Sequence, residues 1–130
     1  MAGRKQPRSL DAVLADMEEA GGAGLELVGR GKAAWDRDRL LRLAGEALIG
    51  RIADFAGRLP DEVKRAVGDV PWDNICDIRI LVDHIYHRID YDALWKTLEE
   101  DVPVLLERLH EWTRAQGSAS SRSLPPLSPQ

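Results

Sequence analysis

The stretch from Pro71 to Tyr91 gathers the residue types that could do chemistry: Arg79, Asp83, His84, Tyr86, His87 and Asp90. An imidazole titrates near neutral pH and can take or give a proton. A guanidinium binds phosphate or carboxylate through a fixed fork of donors and stabilises negative charge. The spacing limits what one helix could assemble from them. At about 100° per residue, Arg79 and Asp83 lie one turn apart, and Arg79 and Tyr86 lie two turns apart on the same side. Arg79 and His84 project about 140° from one another. A single ideal helix therefore does not close a site that needs both. From the residues alone, Arg79 is open to pairing with Asp83 or Glu46, and His84 and Tyr86 are open to packing roles.

Other combinations are thinner. His84 and His87 stand three apart beside Asp83, and Glu107 stands three before His110. Each is a partial ligand set, short of what a four-coordinate zinc or a di-iron carboxylate site takes. No metal or other cofactor is expected. Cys76 is the one cysteine, which excludes an internal disulfide, and it reads as a buried, inert thiol. Trp72, Trp95 and Trp112 each fall on an apolar stripe and read as core.

The elements that must position the Pro71–Tyr91 stretch are helical throughout. Leu10, Val13, Leu14, Met17, Gly21, Gly24 and Val28 keep three- and four-residue spacing from Ser9 onward. Either that helix ends near Ala20, or its glycines admit another helix closely. Gly29-Arg30-Gly31 reads as a loop. Asp36 is a candidate N-cap for a second helix whose stripe is Leu40, Ala44, Ala47, Leu48, Ile52, Phe55 and Leu59. Glu46 lies close to that stripe, so a partly buried Glu in need of a partner is expected. Pro60-Asp61-Glu62 opens a short third helix reaching Val67, with proline and acids suited to a first turn. Residues 68–71 form a loop, and Trp72 opens the fourth helix, whose two covered faces imply a place between neighbours. Asp90 caps the last helix, with a stripe of Tyr91, Leu94, Trp95, Leu98, Val102, Leu105, Leu106, Leu109 and Trp112. Pro103 inside it removes a backbone donor and should kink or loosen it. No strand-like alternation appears. The expected fold is all-α: an antiparallel bundle of four main helices plus a short one.

One domain accommodates 130 residues. A basic, flexible arm is expected at 1–8, the helical domain at 9–116, and a disordered Ser/Pro-rich tail at 117–130. No apolar run approaches the roughly 20 residues of a membrane span. No apolar signal core follows the basic N-terminus, so a cytoplasmic protein is expected. The net charge of −4 excludes general affinity for nucleic acid over the whole surface but not a local basic cleft.

Arg79, four residues, His84, one residue, then Tyr86 resembles the signature of the HEPN superfamily of helical ribonucleases. Val70-Pro71-Trp72, Ile78-Arg79, His84-Ile85-Tyr86, Ile89-Asp90-Tyr91, Leu94-Trp95 and Glu100-Asp101-Val102-Pro103 together resemble the HepT toxin family within it. Leu43-Ala44-Gly45-Glu46-Ala47 is also similar to that family, and the likeness covers about residues 9–112. The resemblance implies a HEPN-like homodimer in which two motifs face one another. It implies a metal-independent endoribonuclease toxin with RNA as substrate and Arg79 and His84 catalytic. It also implies a MntA-type nucleotidyltransferase antitoxin that attaches AMP to Tyr86. Two positions depart from the family pattern: Asp77 stands where Gly is frequent, and Ile80 where a polar residue is usual. Those departures support an alternative, a dimeric HEPN-type module that binds a nucleotidyltransferase without cutting RNA. The cluster Arg30, Lys32, Arg37, Arg39 and Arg42 is a solvated face, a guide for RNA, or a dock for an acidic partner.

Overall fold

The computed structural model describes residues 9–77 and 89–123, with side chains through Gly117. Every element among the described residues is helical, in accord with the all-α expectation. Helix α1 runs Leu10–Val28, capped by Ser9, whose hydroxyl accepts from the Ala12 N–H at 3.1 Å. It continues through its glycines because they face a neighbour. A β-carbon on Gly21 would sit 2.6 Å from Leu106 Cδ2, and one on Gly24 would sit 3.4 Å from Leu98 Cδ2. The lack of side chains there lets α1 lie close to the C-terminal helix. Of the two outcomes open in the sequence, close approach is the one realised.

Helix α2, Lys32–Arg37, is a short element absent from the sequence expectation. Helix α3 spans Arg39–Arg58 and α4 spans Asp61–Val67. Helix α4 begins after Pro60 and ends at Gly68, whose φ of +97° suits glycine. Residues 72–77 are helical and are labelled α5. Helix α6, Tyr91–Lys96, is capped by Asp90, which accepts from the Ala93 N–H at 3.0 Å. It passes through a π-helical turn, Thr97–Asp101, into α7, Val102–Ser123. The turn adjoins Pro103: the Val102 N–H reaches back to the Thr97 carbonyl, and the next residue has no N–H to offer. The helical backbone reaches Ser123, past the start at 117 assigned to a disordered tail.

Helices α1 and α7 are antiparallel, since Gly21 meets Leu106 and Gly24 meets Leu98 and Val102. Helix α1 also packs along α3, and α4 packs on α7. His110 of α7 pairs with Glu18 of α1 at the rim. Met17, Trp35, Ile49, Ile52, Ile75, Leu94, Leu98, Val102, Leu105 and Leu109 are fully enclosed. Each large apolar side chain so buried contributes about 1.5–3 kcal/mol relative to exposure. The stripes expected for α1 and for α6–α7 are the buried ones. The α3 stripe holds in its second half, where Ile52, Phe55 and Leu59 are buried as expected, and departs in its first half, where Gly45 and Ile49 are the buried residues. Leu40, Ala44 and Ala47 point outward instead.

Candidate functional site

Arg79, His84 and Tyr86 lie outside the described residues, as do Ile80, Asp83 and His87. The structure describes what stands on either side of them. On the upstream side, α5 is anchored by Ile75, which is fully buried, while Trp72 and the free Cys76 pack partly buried against the core. The Trp72 Nε1 atom is enclosed without a hydrogen-bond partner among the described residues, and the Lys64 ammonium stands 5.9 Å from its ring centroid.

A cavity of about 420 Å³ opens between α5 and the α6–π segment, lined by Asn74, Asp77, Ala93, Lys96, Thr97, Glu100 and Asp101. Three of its seven lining residues, Asp77, Glu100 and Asp101, are acidic, against the single cation Lys96. Burial, reinforced by neighbouring Glu100, raises the Asp101 carboxyl above the ordinary range; a hydrogen bond with Asn74 and the charge of Lys96 pull the other way. Among the described residues no group of three or more His, Cys, Asp or Glu side chains is placed to hold a metal ion.

On the downstream side, Tyr91 begins α6 and joins it to α2 and α3. Trp35 of α2 is fully buried, and its indole N–H donates to the Tyr91 carbonyl at 3.1 Å. Its ring meets Tyr91 edge-on at 6.1 Å and leans on Trp95 at 5.4 Å. The Tyr91 hydroxyl donates to Glu46 Oε1 of α3 at 3.0 Å. Glu46 is partly buried, as its position near the α3 stripe implies, and among the described residues Tyr91 is its partner. Desolvation first, then that carboxylate, raises the Tyr91 phenol above its usual range. Arg42 lies 5.5 Å over the Tyr91 ring, and its Nη1 donates to the Trp35 carbonyl at 2.9 Å and the Asp36 carbonyl at 2.7 Å.

One residue of this network and one cap beside it escaped the sequence argument, Trp35 and Asp38. Trp35 lies on a six-residue helix, too short for periodicity to register. The signal that could have found it is the pair Trp35 and Gly45: a β-carbon on Gly45 would lie 2.5 Å from the indole, so the glycine makes room for the ring. The N-cap of α3 is Asp38, not Asp36. Asp38 Oδ1 accepts from the N–H groups of Leu40 at 2.9 Å and Leu41 at 3.4 Å, while Asp36 belongs to α2 and pairs with Lys32 at 3.0 Å.

The Ribonuclease HepT-like family model matches residues 8–111, most of the described fold and the whole Pro71–Tyr91 stretch. The chain belongs to the HepT-like family. Among HepT-like relatives, a protein of Thermococcus cleftensis named a probable ribonuclease HepT is 33% identical over 67 residues, 52% of this chain and 54% of its own length. A protein of Methanocaldococcus jannaschii, named as a candidate RNase, is 37% identical over 65 residues, 50% of this chain and 52% of its own. A third, from Caldanaerobacter subterraneus and named likewise, is 29% identical over 75 residues, 58% of this chain and 67% of its own. The chain thus spans about half the length of the first two relatives it matches. No solved structure gives a significant match.

Proposed function

We propose that this HepT-like chain is the toxin of a bacterial toxin–antitoxin pair, a metal-independent endoribonuclease working as a homodimer in the cytoplasm. The observation that carries the reading is the family match across 8–111, which encloses Arg79, His84 and Tyr86 in the family's order. The reaction is transesterification: the RNA 2′-hydroxyl attacks the adjacent phosphorus and the 5′-oxygen leaves. His84 moves a proton between these oxygens, and Arg79 binds the phosphate and stabilises the extra negative charge of the transition state. Because one ideal helix separates Arg79 from His84, the site is completed by a second copy across a cleft.

The homodimer is supported by the outward face of α3. Leu40 is 69% exposed and Leu43 41%, with exposed Ala44 and Ala47 on the same stripe. Neutralisation is by a MntA-type nucleotidyltransferase that attaches AMP to Tyr86, placing a phosphate and an adenosine in the cleft next to Arg79.

Purified protein is expected to cleave single-stranded RNA without added metal. His84→Ala should lower the rate by about 100-fold or more, the scale of one general acid–base group. Undiminished cleavage by His84→Ala would remove His84 from the mechanism. Co-expression with a nucleotidyltransferase should raise the intact mass by whole AMP units in wild type and not in Tyr86→Phe.

A second reading is a dimeric module that binds a nucleotidyltransferase without cutting RNA. Ile80 and Asp77 favour it, together with the acidic lining of the cavity beside α5, since acids repel phosphate. Absence of cleavage by wild type on any RNA supports this alternative.

A further inference from the structure

The start of α6 is tied down at four consecutive residues. Ile89 packs partly buried against the core, and Asp90 caps the helix through the Ala93 N–H. Tyr91 accepts at its carbonyl from the Trp35 indole, donates its hydroxyl to Glu46 Oε1, and has the Arg42 guanidinium over its ring. Asp92 holds Lys32 of α2 at 3.0 Å. The bond to Glu46, at 3.0 Å, joins a side chain of α6 to a side chain of α3. A hydroxyl bonded to a carboxylate is stronger than a neutral pair and fixes direction as well as distance.

Covalent continuity makes Tyr91 the downstream attachment of the Pro71–Tyr91 stretch, seven residues after His84 and five after Tyr86. Whatever path residues 78–88 take, they end on this fixed point. The adjoining face of α3 carries exposed Leu43 and Ala47, one on either side of Glu46 in the sequence. That is the face assigned above to a second copy. One helix therefore holds the end of a motif and also carries the surface on which the other copy is seated. Reacting groups supplied by two chains keep a productive geometry only when each motif is fixed relative to the shared interface.

We propose that Glu46 and Tyr91 are a positioning pair for the ribonuclease site. Their hydrogen bond fixes the downstream end of each motif to α3, and through α3 to the interface that brings two motifs together. The proposal rests on the two-copy ribonuclease reading and adds to it the contact that registers one motif against the other. Both residues act through the chain, not on the reacting atoms.

The test is cleavage of single-stranded RNA by the full chain as wild type, Tyr91→Phe, Glu46→Ala, the double variant and Glu46→Gln. Circular dichroism melts report folding and light scattering reports assembly. Ser9→Ala, which removes a hydrogen bond at the start of α1, is the control for a general loss of stability. Tyr91→Phe and Glu46→Ala should each lower kcat about tenfold or more at unchanged KM, in folded dimers, as a misaligned site does. The double variant should lose no more than either single one, because both remove the same bond. Glu46→Gln keeps an oxygen acceptor and should restore most of the rate, and Ser9→Ala should cleave as wild type does. Wild-type rates in Tyr91→Phe and Glu46→Ala, or losses that multiply in the double variant, would overturn the proposal while leaving the ribonuclease reading intact. Losses matched by Ser9→Ala would reduce the effect to stability and overturn it likewise. A wild type that cleaves no RNA, or cleaves it as a monomer, would overturn the proposal together with the reading it rests on.

Discussion

Two glycines of α3 respond to their surroundings in opposite ways. At Gly45 a β-carbon would come within 2.5 Å of Trp35 Cζ3 and 3.2 Å of Leu98 Cδ1. Trp35 cannot retreat, because it is fully enclosed and its indole nitrogen is bonded to the Tyr91 carbonyl. At Gly50 nothing lies within 4 Å. Alanine recovers about 1 kcal/mol of helix propensity at either position. At Gly45 overpacking of about 1–3 kcal/mol or more exceeds that gain. Thermal melts should therefore place Gly45→Ala below wild type and Gly50→Ala level with or above it; a stabilised Gly45→Ala would mean that the ring has room to move. The Glu46–Tyr91 bond teaches the same lesson. Glu46 declares its need of a partner by lying near an apolar stripe, but the identity of the partner is long-range information.

Among elements, the start of α3 shows how local signals compete. Asp36 and Asp38 are both good caps by residue type. The decision falls to Asp38 because α2 takes up Asp36, leaving Asp38 extended, with φ −111° and ψ 103°, at the junction. Asp38→Ala should cost about 1 kcal/mol of stability by chemical denaturation, the worth of an N-cap. Asp36→Ala should cost less, since the Lys32 pair it breaks is exposed and such pairs contribute little. Equal costs would refute the assignment. Farther along, Pro103 announced a disturbance in the last helix, and the disturbance is a π-helical turn just before it. Local chemistry located the irregularity; its form depends on keeping Leu98 and Val102 both in the core, where each is fully buried.

For the whole molecule, the proposed homodimer is tested at α3. Leu40, Leu43, Ala44 and Ala47 form an apolar stripe that the described core leaves uncovered. Light scattering behind size exclusion should give a dimer for wild type and a monomer for Leu40→Asp/Leu43→Asp with helicity retained. A dimer that survives both charges would place the interface elsewhere, and a monomeric wild type would remove the two-copy site. The α3 stripe is also where periodicity was least informative. In the first half of α3 both faces carry small and apolar residues, so Leu40, Ala44 and Ala47 fit a core pattern as well as Gly45 and Ile49 do, and it is Gly45 and Ile49 that are buried; farther along, Ile52 and Phe55 are buried as the stripe implies. Much else was determined by the sequence alone. The all-α class, the start of α1, the short α4, the Asp90 cap and the α6–α7 stripe follow from short-range periodicity and capping, which act within a turn or two of chain. The order of Arg79, His84 and Tyr86 is read directly from the sequence, and the family likeness draws on it together with Pro71-Trp72, Asp90-Tyr91 and Asp101-Val102-Pro103. Only the tertiary structure decided that Trp35 fills the space left by Gly45 and that, among the described residues, Tyr91 is the partner of Glu46. Each of these joins residues distant in sequence, where close packing and charge pairing depend on which helices lie side by side.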